Sequence, residues 1–347
     1  MTRGLDVVAL GARTAVGLGF AASAAAVRAG ISGAREYPFV DEEGEPMHVA
    51  ADRRLHASVV GPERLLALAR SAVDEALCTL QLASSHDGPI AVLLALPEVR
   101  PGLSELEIQA VEAGVARHVR ESHPTASVMA AGFGHAAAAL AVERAVNSSG
   151  AADNTLTLIV GVDGFVRPET LMWLEAQRVF GPRARTGVIP GEGAGCVVLA
   201  PTGLRKSLRL ACLAKVAGVG TAREALLADS ETGSFGEGMT RALRDATAGS
   251  DLPSEAGDDV YSDINGERYR SEEWGFVCMR FPSAFRTLRY HAPADCWGDV
   301  GAATGALAIA LAARGWARNY ARGPRALITA GSRNGDRGAI FLMEPST

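Results

Sequence analysis

The stretch CWGDVGAATGALAIALAA, residues 296–313, decides the fold of this chain. Gly298, Gly301 and Gly305 lie three and four positions apart, a spacing that places them on one face of a helix. The remainder of the stretch is small or apolar almost all round, and such a helix is buried. Residues 296–313 are therefore predicted to form a buried helix whose glycines allow close contact with another backbone.

The composition indicates a globular protein with a sizeable core. The sequence has 347 residues, 48% of them hydrophobic, and a formal net charge of −5 with acidic and basic residues interspersed. Interspersed charges leave no broad basic face, so we expect no nucleic-acid partner. No apolar run reaches the roughly 18 to 20 residues that cross a membrane, and the N-terminus lacks a signal-peptide pattern. The sequence predicts a cytoplasmic protein that does not contact a membrane.

The five cysteines are scattered along the sequence, and none is part of a C-x-x-C pair. This arrangement favours neither a disulfide framework nor a zinc site. We expect the cysteines to be small buried apolar residues, and we expect the protein to hold no metal and no cofactor.

Strand-like and helix-like patterns alternate along the chain. Short apolar runs such as 90–96 alternate with amphipathic segments such as 62–80, and the plan repeats after the polar seam at 201–206. This alternation predicts a mostly parallel sheet with helices on both faces. Two similar halves, residues 1–202 and 203–347, indicate a duplicated α/β unit.

Three segments have weaker or more local patterns. Residues 34–56 are polar and without period, which predicts a surface excursion, and residues 288–291 are predicted to be a short strand. A strand at 126–131 is predicted to end at Gly132 and to pass directly into a helix over 133–146.

Five glycine-rich stretches, taken in order, resemble the β-ketoacyl synthase branch of the thiolase superfamily. Each stretch alone is a weak signal, but their order and spacing together cover nearly the whole chain. The resemblance implies the thiolase fold, an α/β fold of duplicated halves in a five-layer αβαβα arrangement. The stretches are GARTAVG (11–17), IPGEGAGCVVL (189–199), DING (263–266), WGDVGAATG (297–305) and AGSRNG (330–335).

The resemblance also implies a site in which a cysteine at a helix start takes up an acyl chain and two histidines assist. Carried over by position, the cysteine falls on Ala131. The first histidine falls on Asn265, before Gly266. The second falls on Asp299, after Gly298. We call the place where these positions would converge the relic pocket.

Every reactive side chain that the resemblance implies is replaced in this sequence. Alanine cannot form a thioester, and no cysteine occurs between Cys78 and Cys196. Asn265 can donate a hydrogen bond, whereas a carboxylate at Asp299 would repel an oxyanion. The condensation reaction of the family is therefore not expected.

Other polar residues are candidates for new chemistry in the relic pocket. His135, one helical turn after Ala131, is a candidate base, although a packed histidine is the commoner case. Asp263, Asn265 and Asp299 are candidates for an acid–base or metal site. The alternative is that Asp299 caps the central helix.

Two loops complete the set of candidates. Ser332 and Asn334 lie in a polar loop where the family has a mobile glycine- and phenylalanine-containing gate, which indicates that no acyl chain is gated there. Arg178, Arg183 and Arg185 are candidates for contact with a phosphate of coenzyme A or with a carrier protein, against the simpler interpretation of a solvated loop.

Three functions stay open on the sequence alone. The first, slightly favoured because the chain is short, is an inactive adaptor similar to the thiolase-like proteins encoded beside type VI secretion effectors and their chaperones. The second is a partner of an active ketosynthase, as chain-length factors are. The third is an enzyme with rebuilt chemistry on an acyl or coenzyme A substrate. The resemblance also implies a homodimer in which the strand Thr125–Ala130 pairs with its own copy.

Overall fold

A computed structural model gives the structure of residues 4–40, 44–83, 86, 88–149, 154–181, 184, 187–227, 230 and 233–345. Within these ranges, no helix is long and apolar enough to cross a membrane. The helices are α1 (Phe20–Arg28), α2 (Gly61–Ala83), α3 (Glu105–Ser122), α4 (Ala137–Ser148), α5 (Pro168–Ala176), α6 (Thr202–Ser207), α7 (Glu237–Ala246), α8 (Arg268–Arg280), α9 (Ala294–Trp297) and α10 (Thr304–Ala317).

Nine of the described strands form one sheet in the order β5-β4-β6-β7-β1-β8-β11-β10-β9, and β2 and β3 form a separate hairpin. Strands from residues 1–202 occupy one end of the sheet, strands from 203–347 occupy the other, and β1 joins them by pairing with β8. The strands are β1 (Leu5–Thr14), β2 (Arg35–Val40), β3 (Pro46–Val49), β4 (Ile90–Leu96), β5 (Ser127–Phe133), β6 (Leu156–Gly164), β7 (Glu192–Pro201), β8 (Ala214–Arg223), β9 (Asp259–Ser262), β10 (Arg325–Gly331) and β11 (Asp336–Met343).

The sheet is mixed, and the prediction of a mostly parallel sheet is wrong. Strand β4 is parallel to β5 and β6, and β10 is parallel to β9, but the remaining neighbours in the sheet are antiparallel. Strands such as β1 and β7 are buried on both faces, so they are continuous apolar runs whatever their direction. The apolar pattern of a strand indicates that the strand is buried, but it does not indicate the direction of the strand.

The helices complete five layers, as the resemblance to β-ketoacyl synthases implies. Helices α2 and α3 pack together, and α2 covers the sheet at β1, β6 and β7. Helices α4 and α10 contact strands from both ends of the sheet, so they form the central layer. Helix α7 covers β8 and β11 from outside, with α8 packed beside it. Nearly all of α10 is buried, which agrees with its apolar sequence.

The helix boundaries follow local capping chemistry. The Ser104 hydroxyl accepts a hydrogen bond from the Glu107 backbone N–H, and the Glu107 carboxylate accepts one from the Ser104 N–H, which begins α3 with a capping box. Pro168 occupies the first turn of α5, where its missing N–H costs nothing. Gly30, in the left-handed region at φ 67°, ends α1.

The prediction that residues 296–313 form one helix is wrong. Helix α9 ends at Trp297, the chain turns through Gly298 (φ 78°) and Gly301 (φ 46°), and α10 begins at Thr304. A Cβ on Gly301 would lie 2.0 Å from Asp163 Oδ2, so the close approach is made by a turn. The three-and-four spacing of the glycines suits a helix face equally well, and it cannot distinguish the two structures.

Two weaker predictions also need correction. Residues 34–56, predicted to be a surface excursion without period, contain the hairpin of β2 and β3. Residues 288–291 do not form a strand, although His291 makes one isolated bridge to Tyr261 in β9. Both segments are short and mostly polar, so neither has enough apolar alternation to be recognised.

Candidate functional site

The relic pocket lies where the carboxyl ends of two parallel strand pairs meet. Strands β4 and β5 end beside the turn into α4, and β9 and β10 end in the segments that carry Asp263 and Ser332. The Ser332 hydroxyl donates to the Phe133 carbonyl at 2.9 Å and accepts from the Ala136 N–H at 3.0 Å. This serine therefore ties the β10–β11 turn to the start of α4.

The structure brings three of the predicted residues into one hydrogen-bonded chain. His135 Nε2 lies 2.8 Å from Asp299 Oδ1, and Asn265 Nδ2 donates to Asp299 Oδ2 at 2.7 Å. Their exposed fractions are 3% for His135, 6% for Asp299 and 7% for Asn265. Asp299 Oδ1 also accepts from the Gly301 N–H at 2.9 Å, so it holds the turn before α10. The alternative that Asp299 caps the central helix is wrong, because the N-cap of α10 is Ala303.

Arg270, which the sequence did not single out, occupies the centre of the site. It is only 3% exposed, and its guanidinium pairs with Asp263 and with Glu267 Oε2, the latter at 2.9 Å. It also donates to the Gly331 carbonyl at 2.8 Å. Its Nη2 lies 3.4 Å from each ring nitrogen of His135, so the guanidinium is packed along the imidazole. Arg270 fills the space between the segments.

The sequence signal for Arg270 is weak. Arg270 lies within the run ERYRSEEW, residues 267–274, which has the charge pattern of a solvated helix face. An arginine three residues after Glu267 is consistent with an exposed i,i+3 pair, the commonest case on helix surfaces. Only the placement of α8 across the carboxyl ends of β9 and β10 shows that this pair is buried.

Further arginines extend the ion pairs outward. Arg333 pairs with the second carboxylate oxygen of Glu267, and its guanidinium lies 4.9 Å from the centroid of the Trp173 ring. Arg337 is 1% exposed and pairs with Glu273 Oε1 at 2.7 Å. The site is thus a buried network of alternating positive and negative side chains, which we call the Arg270 network.

The charges of the network reinforce one another. Burial by itself opposes ionisation of Asp299, but His135, Arg270 and the Gly301 N–H hold the pKa of its carboxyl below the usual range. Burial likewise opposes ionisation of Glu267, and the charges of Arg270 and Arg333 lower its pKa. Both groups are carboxylates at neutral pH, and the positive charge of Arg270 favours the ionised form of each.

The relic pocket is closed. The cavity that borders Asp263, Asn265 and Asp299 has a volume of about 20 Å³, enough for one water molecule. Outside the network lies an open cleft of about 1000 Å³, and Glu267 and Arg333 form part of its wall. The Arg270 network therefore separates the cleft from the interior.

Ala131 lies within β5 and not at a helix start. It falls between Ala130, opposite Leu94, and Gly132, opposite Ala95, where the register with β4 shifts. The strand continues to Phe133 because this pairing persists, and α4 begins only at Ala137. Gly134, at φ 76°, makes the turn. His135 therefore lies in the strand-to-helix turn. The prediction that it lies one helical turn after Ala131 is wrong.

Three other predicted residues of the relic pocket allow close backbone packing or hold a turn in place. A Cβ on Gly266 would lie 2.1 Å from the Gly187 carbonyl oxygen, and one on Gly298 would lie 2.7 Å from Gly191 Cα. The Asn334 backbone N–H donates to Glu98 Oε1 at 2.8 Å, which holds the β10–β11 turn in place.

Two of the five cysteines are buried as predicted. Cys196 and Cys296 are buried as expected, but Cys212 and Cys278 are half-buried and Cys78 is exposed on α2. Arg178 adopts a left-handed backbone at φ 56°, and Arg183 and Arg185 lie outside the described residues. In the part of the chain that the structure describes, no group of three or more potential ligand side chains is arranged to hold a metal ion.

Comparisons with known proteins agree with this architecture. No family model matches the sequence, and no curated protein matches it. Among solved structures, the chain is similar to the ishigamide ketosynthase/chain length factor, with a TM-score of 0.76, 18% identity and 100% of both chains covered. It is similar to a β-ketoacyl synthase from Burkholderia phymatum STM815, with a TM-score of 0.75, 16% identity and 100% of both chains covered.

A third similar structure is a type II polyketide synthase acyl-carrier protein in complex with its ketosynthase bound to the hexaketide. The TM-score is 0.75, the identity is 16%, and 100% of both chains is covered. At such low identity the likeness establishes the architecture alone, and the chemistry has to be argued from this chain's own residues. The chain has the thiolase fold in its β-ketoacyl synthase form.

Proposed function

We propose that this chain is a catalytically inactive protein of the β-ketoacyl synthase fold that acts by binding another protein. The proposal rests on Arg270, whose buried guanidinium is held by Asp263 and Glu267 and packed against His135 at the relic pocket. An acyl substrate could enter only if this side chain left its carboxylate partners. Leaving charges buried without partners costs several kcal/mol, so the closed network is the stable state.

The absence of a thiol supports the same conclusion. Residues 79–195, which include β5 and the turn into α4, contain no cysteine. Asp299, at the position of the second histidine, carries a negative charge that would oppose a developing oxyanion. Neither the nucleophile nor the oxyanion stabilisation of the family is present among the residues that meet there.

Rebuilt chemistry on His135 has little structural support. The ring is 3% exposed, bonded to Asp299 at one nitrogen and covered by the Arg270 guanidinium. The cavity beside Asp299 has about 20 Å³, which leaves no room for an acyl or coenzyme A substrate. A general base must reach the proton that it removes, and this histidine is enclosed by its own partners.

The edge strand β5 is the proposed binding surface. It is the outermost described strand at its end of the sheet, so one side of its backbone has no neighbour among the described strands. Met129 is 36% exposed and Phe133 is 43% exposed, so the edge also presents apolar side chains. Native proteins usually cover such an edge, and antiparallel pairing with a second strand covers it completely. The partner is a second copy, giving a homodimer through Thr125–Ala130 and its continuation, or a related chain.

One observation favours a ketosynthase as the related chain. The likeness to the ishigamide ketosynthase/chain length factor covers 100% of both chains, so a shortened length no longer argues for the adaptor role. A role beside a secretion effector has no comparable support from the structure.

Affinity purification from the native host tests the proposal, with the full-length chain, Met129→Lys and Met343→Lys as tagged baits. Both methionines are 36% exposed, but Met343 ends β11 inside the sheet and is the matched control. We expect the wild type and Met343→Lys to retain one stoichiometric partner that Met129→Lys loses. A partner with an intact ketosynthase site would assign the chain-length-factor-like role. Equal partner binding by both variants would contradict binding through β5.

A further inference from the structure

A second, basic pocket lies at the opposite end of α10 from the relic pocket. It has a volume of about 490 Å³ and is lined by Ala25, Arg28, Ala29, Arg314, Arg318 and Tyr320. Helix α10 begins beside the Arg270 network, and Arg314 follows ten residues later, about 15 Å along the helix axis. The basic pocket is therefore separate from the Arg270 network, and what it binds does not depend on the proposed function.

The pocket gathers positive charge without a counter-charge. Three of its six lining residues are arginines, and none is acidic. Arg28 and Arg318 are exposed and Arg314 is partly buried, and across the described ranges no carboxylate forms an ion pair with any of the three. Guanidinium groups stay charged at every physiological pH, so the three repel one another. A concave surface of one sign concentrates counter-ions.

Two of the arginines are held in position by aromatic rings. The Arg28 guanidinium lies 4.3 Å from the centroid of the Tyr320 ring, and the Arg314 guanidinium lies 5.7 Å from that of Phe20. Tyr320 is itself fixed, because its N–H donates to the Gly315 carbonyl at 3.0 Å in the turn that ends α10. Stacking uses the face of a guanidinium and leaves its N–H edge available to a ligand.

Helix dipoles explain only part of this arrangement. Arg28 and Arg314 lie in the last turns of α1 and α10, where a positive charge is favourable. Arg318 is the residue after the end of α10, and the dipole gives no reason to gather three guanidiniums in one concavity. An anionic ligand supplies that reason, since it pairs with all three.

We propose that this basic pocket binds a phosphate group carried by a small molecule. Guanidinium edges match phosphate oxygens with paired hydrogen bonds, and three of them balance a dianion with charge to spare. Burial raises the pKa of the Tyr320 phenol despite the nearby charges of Arg28 and Arg314, so its hydroxyl remains a donor. The pocket volume lies in the range of small-molecule sites, which leaves room for an organic group beside the phosphate.

Isothermal titration of the full-length protein tests this site, with inorganic phosphate, pyrophosphate and adenosine diphosphate as ligands and sodium chloride holding the ionic strength constant. We expect saturable one-to-one binding that weakens at least tenfold in Arg28→Gln and in Arg318→Gln. Arg289→Gln, which changes an exposed arginine elsewhere, should bind as the wild type does. Tyr320→Phe keeps the stacked ring but loses the hydroxyl, so it should weaken binding less than loss of an arginine.

The outcomes separate clearly. Tighter binding of adenosine diphosphate than of pyrophosphate would show that the pocket also contacts the organic group, and equal binding would show that it reads the phosphates alone; both support the site. Heats that never saturate, or unchanged affinity in an Arg28→Gln, Arg318→Gln double variant with a wild-type melting temperature, would overturn it. A phosphoserine peptide that binds more tightly than pyrophosphate would overturn the small-molecule assignment.

Discussion

Loss of Arg270 should strongly destabilise this protein. Replacing it with methionine leaves Asp263 and Glu267 buried without that cation, and breaking a buried ion pair costs about 3–5 kcal/mol. We expect urea unfolding of Arg270→Met at pH 7 to show a loss of this size. Arg268→Met is the matched control, because Arg268 forms an exposed pair with Glu272 two residues earlier on the same helix, and its loss should cost less than about 1 kcal/mol. Equal losses in the two variants would contradict a buried network.

Asp299 gives a prediction of pH dependence at the same scale. Its folded-state pKa is lowered, so its stabilising contribution is complete above the unfolded-state pKa near 4 and is lost as the pH falls through the folded value. Asp299→Asn should therefore lower the free energy of unfolding by about 1.5–3 kcal/mol at pH 7, typical of hydrogen bonds to a charged group. The deficit should shrink as the pH falls below 4. A simple helix cap, the sequence-based alternative, predicts a small deficit at every pH, and urea melts between pH 7 and pH 3 distinguish the two.

At the scale of elements, the turn between α9 and α10 depends on glycine. Gly301→Ala places a methyl group against Asp163 Oδ2 in a left-handed backbone, so we expect a loss of more than about 2 kcal/mol. Gly275→Ala is the opposite case, because Gly275 lies inside α8 with open space around its Cβ position and should gain about 0.5–1 kcal/mol. Denaturant midpoints of the two variants should move in opposite directions. A tolerated Gly301→Ala would mean that this turn is not fixed.

Some elements could be predicted from the sequence, and others could not. Apolar runs located β4 without error and α2 to within one residue at its start and three at its end, because burial and helical period determine the apolar pattern. Strand direction, the turn inside 296–313 and the end of β5 could not be predicted, since they are set by contacts between segments distant in sequence. The resemblance identified Asn265 and Asp299, but it missed Arg270, whose burial depends on where the first turn of α8 lies against Asp263 and Gly331.

At the scale of the whole molecule, the open edge of β5 predicts a dimer. Light scattering at micromolar concentration should give twice the mass of one chain, because two edges pair and bury their apolar side chains. Phe133→Glu puts a charge on that edge and should yield a monomer, whereas Met172→Glu changes a more exposed residue on α5 and should leave the mass unchanged. A wild-type monomer would show that the edge is not used between copies of this chain.

Intact-mass spectrometry of the full-length protein after incubation with an acyl-coenzyme A tests most directly the claim that the site is closed and inactive. We expect no acyl adduct on the peptides around the relic pocket and no release of free coenzyme A above that of buffer. Residues 79–195 contain no cysteine, the Cys296 thiol is buried against the Val27 carbonyl, and Arg270 is packed against His135. Peptide mapping separates this region from adventitious acylation of the exposed Cys78. An acyl group on His135 or any neighbouring side chain, or coenzyme A release that His135→Gln abolishes, would contradict the account.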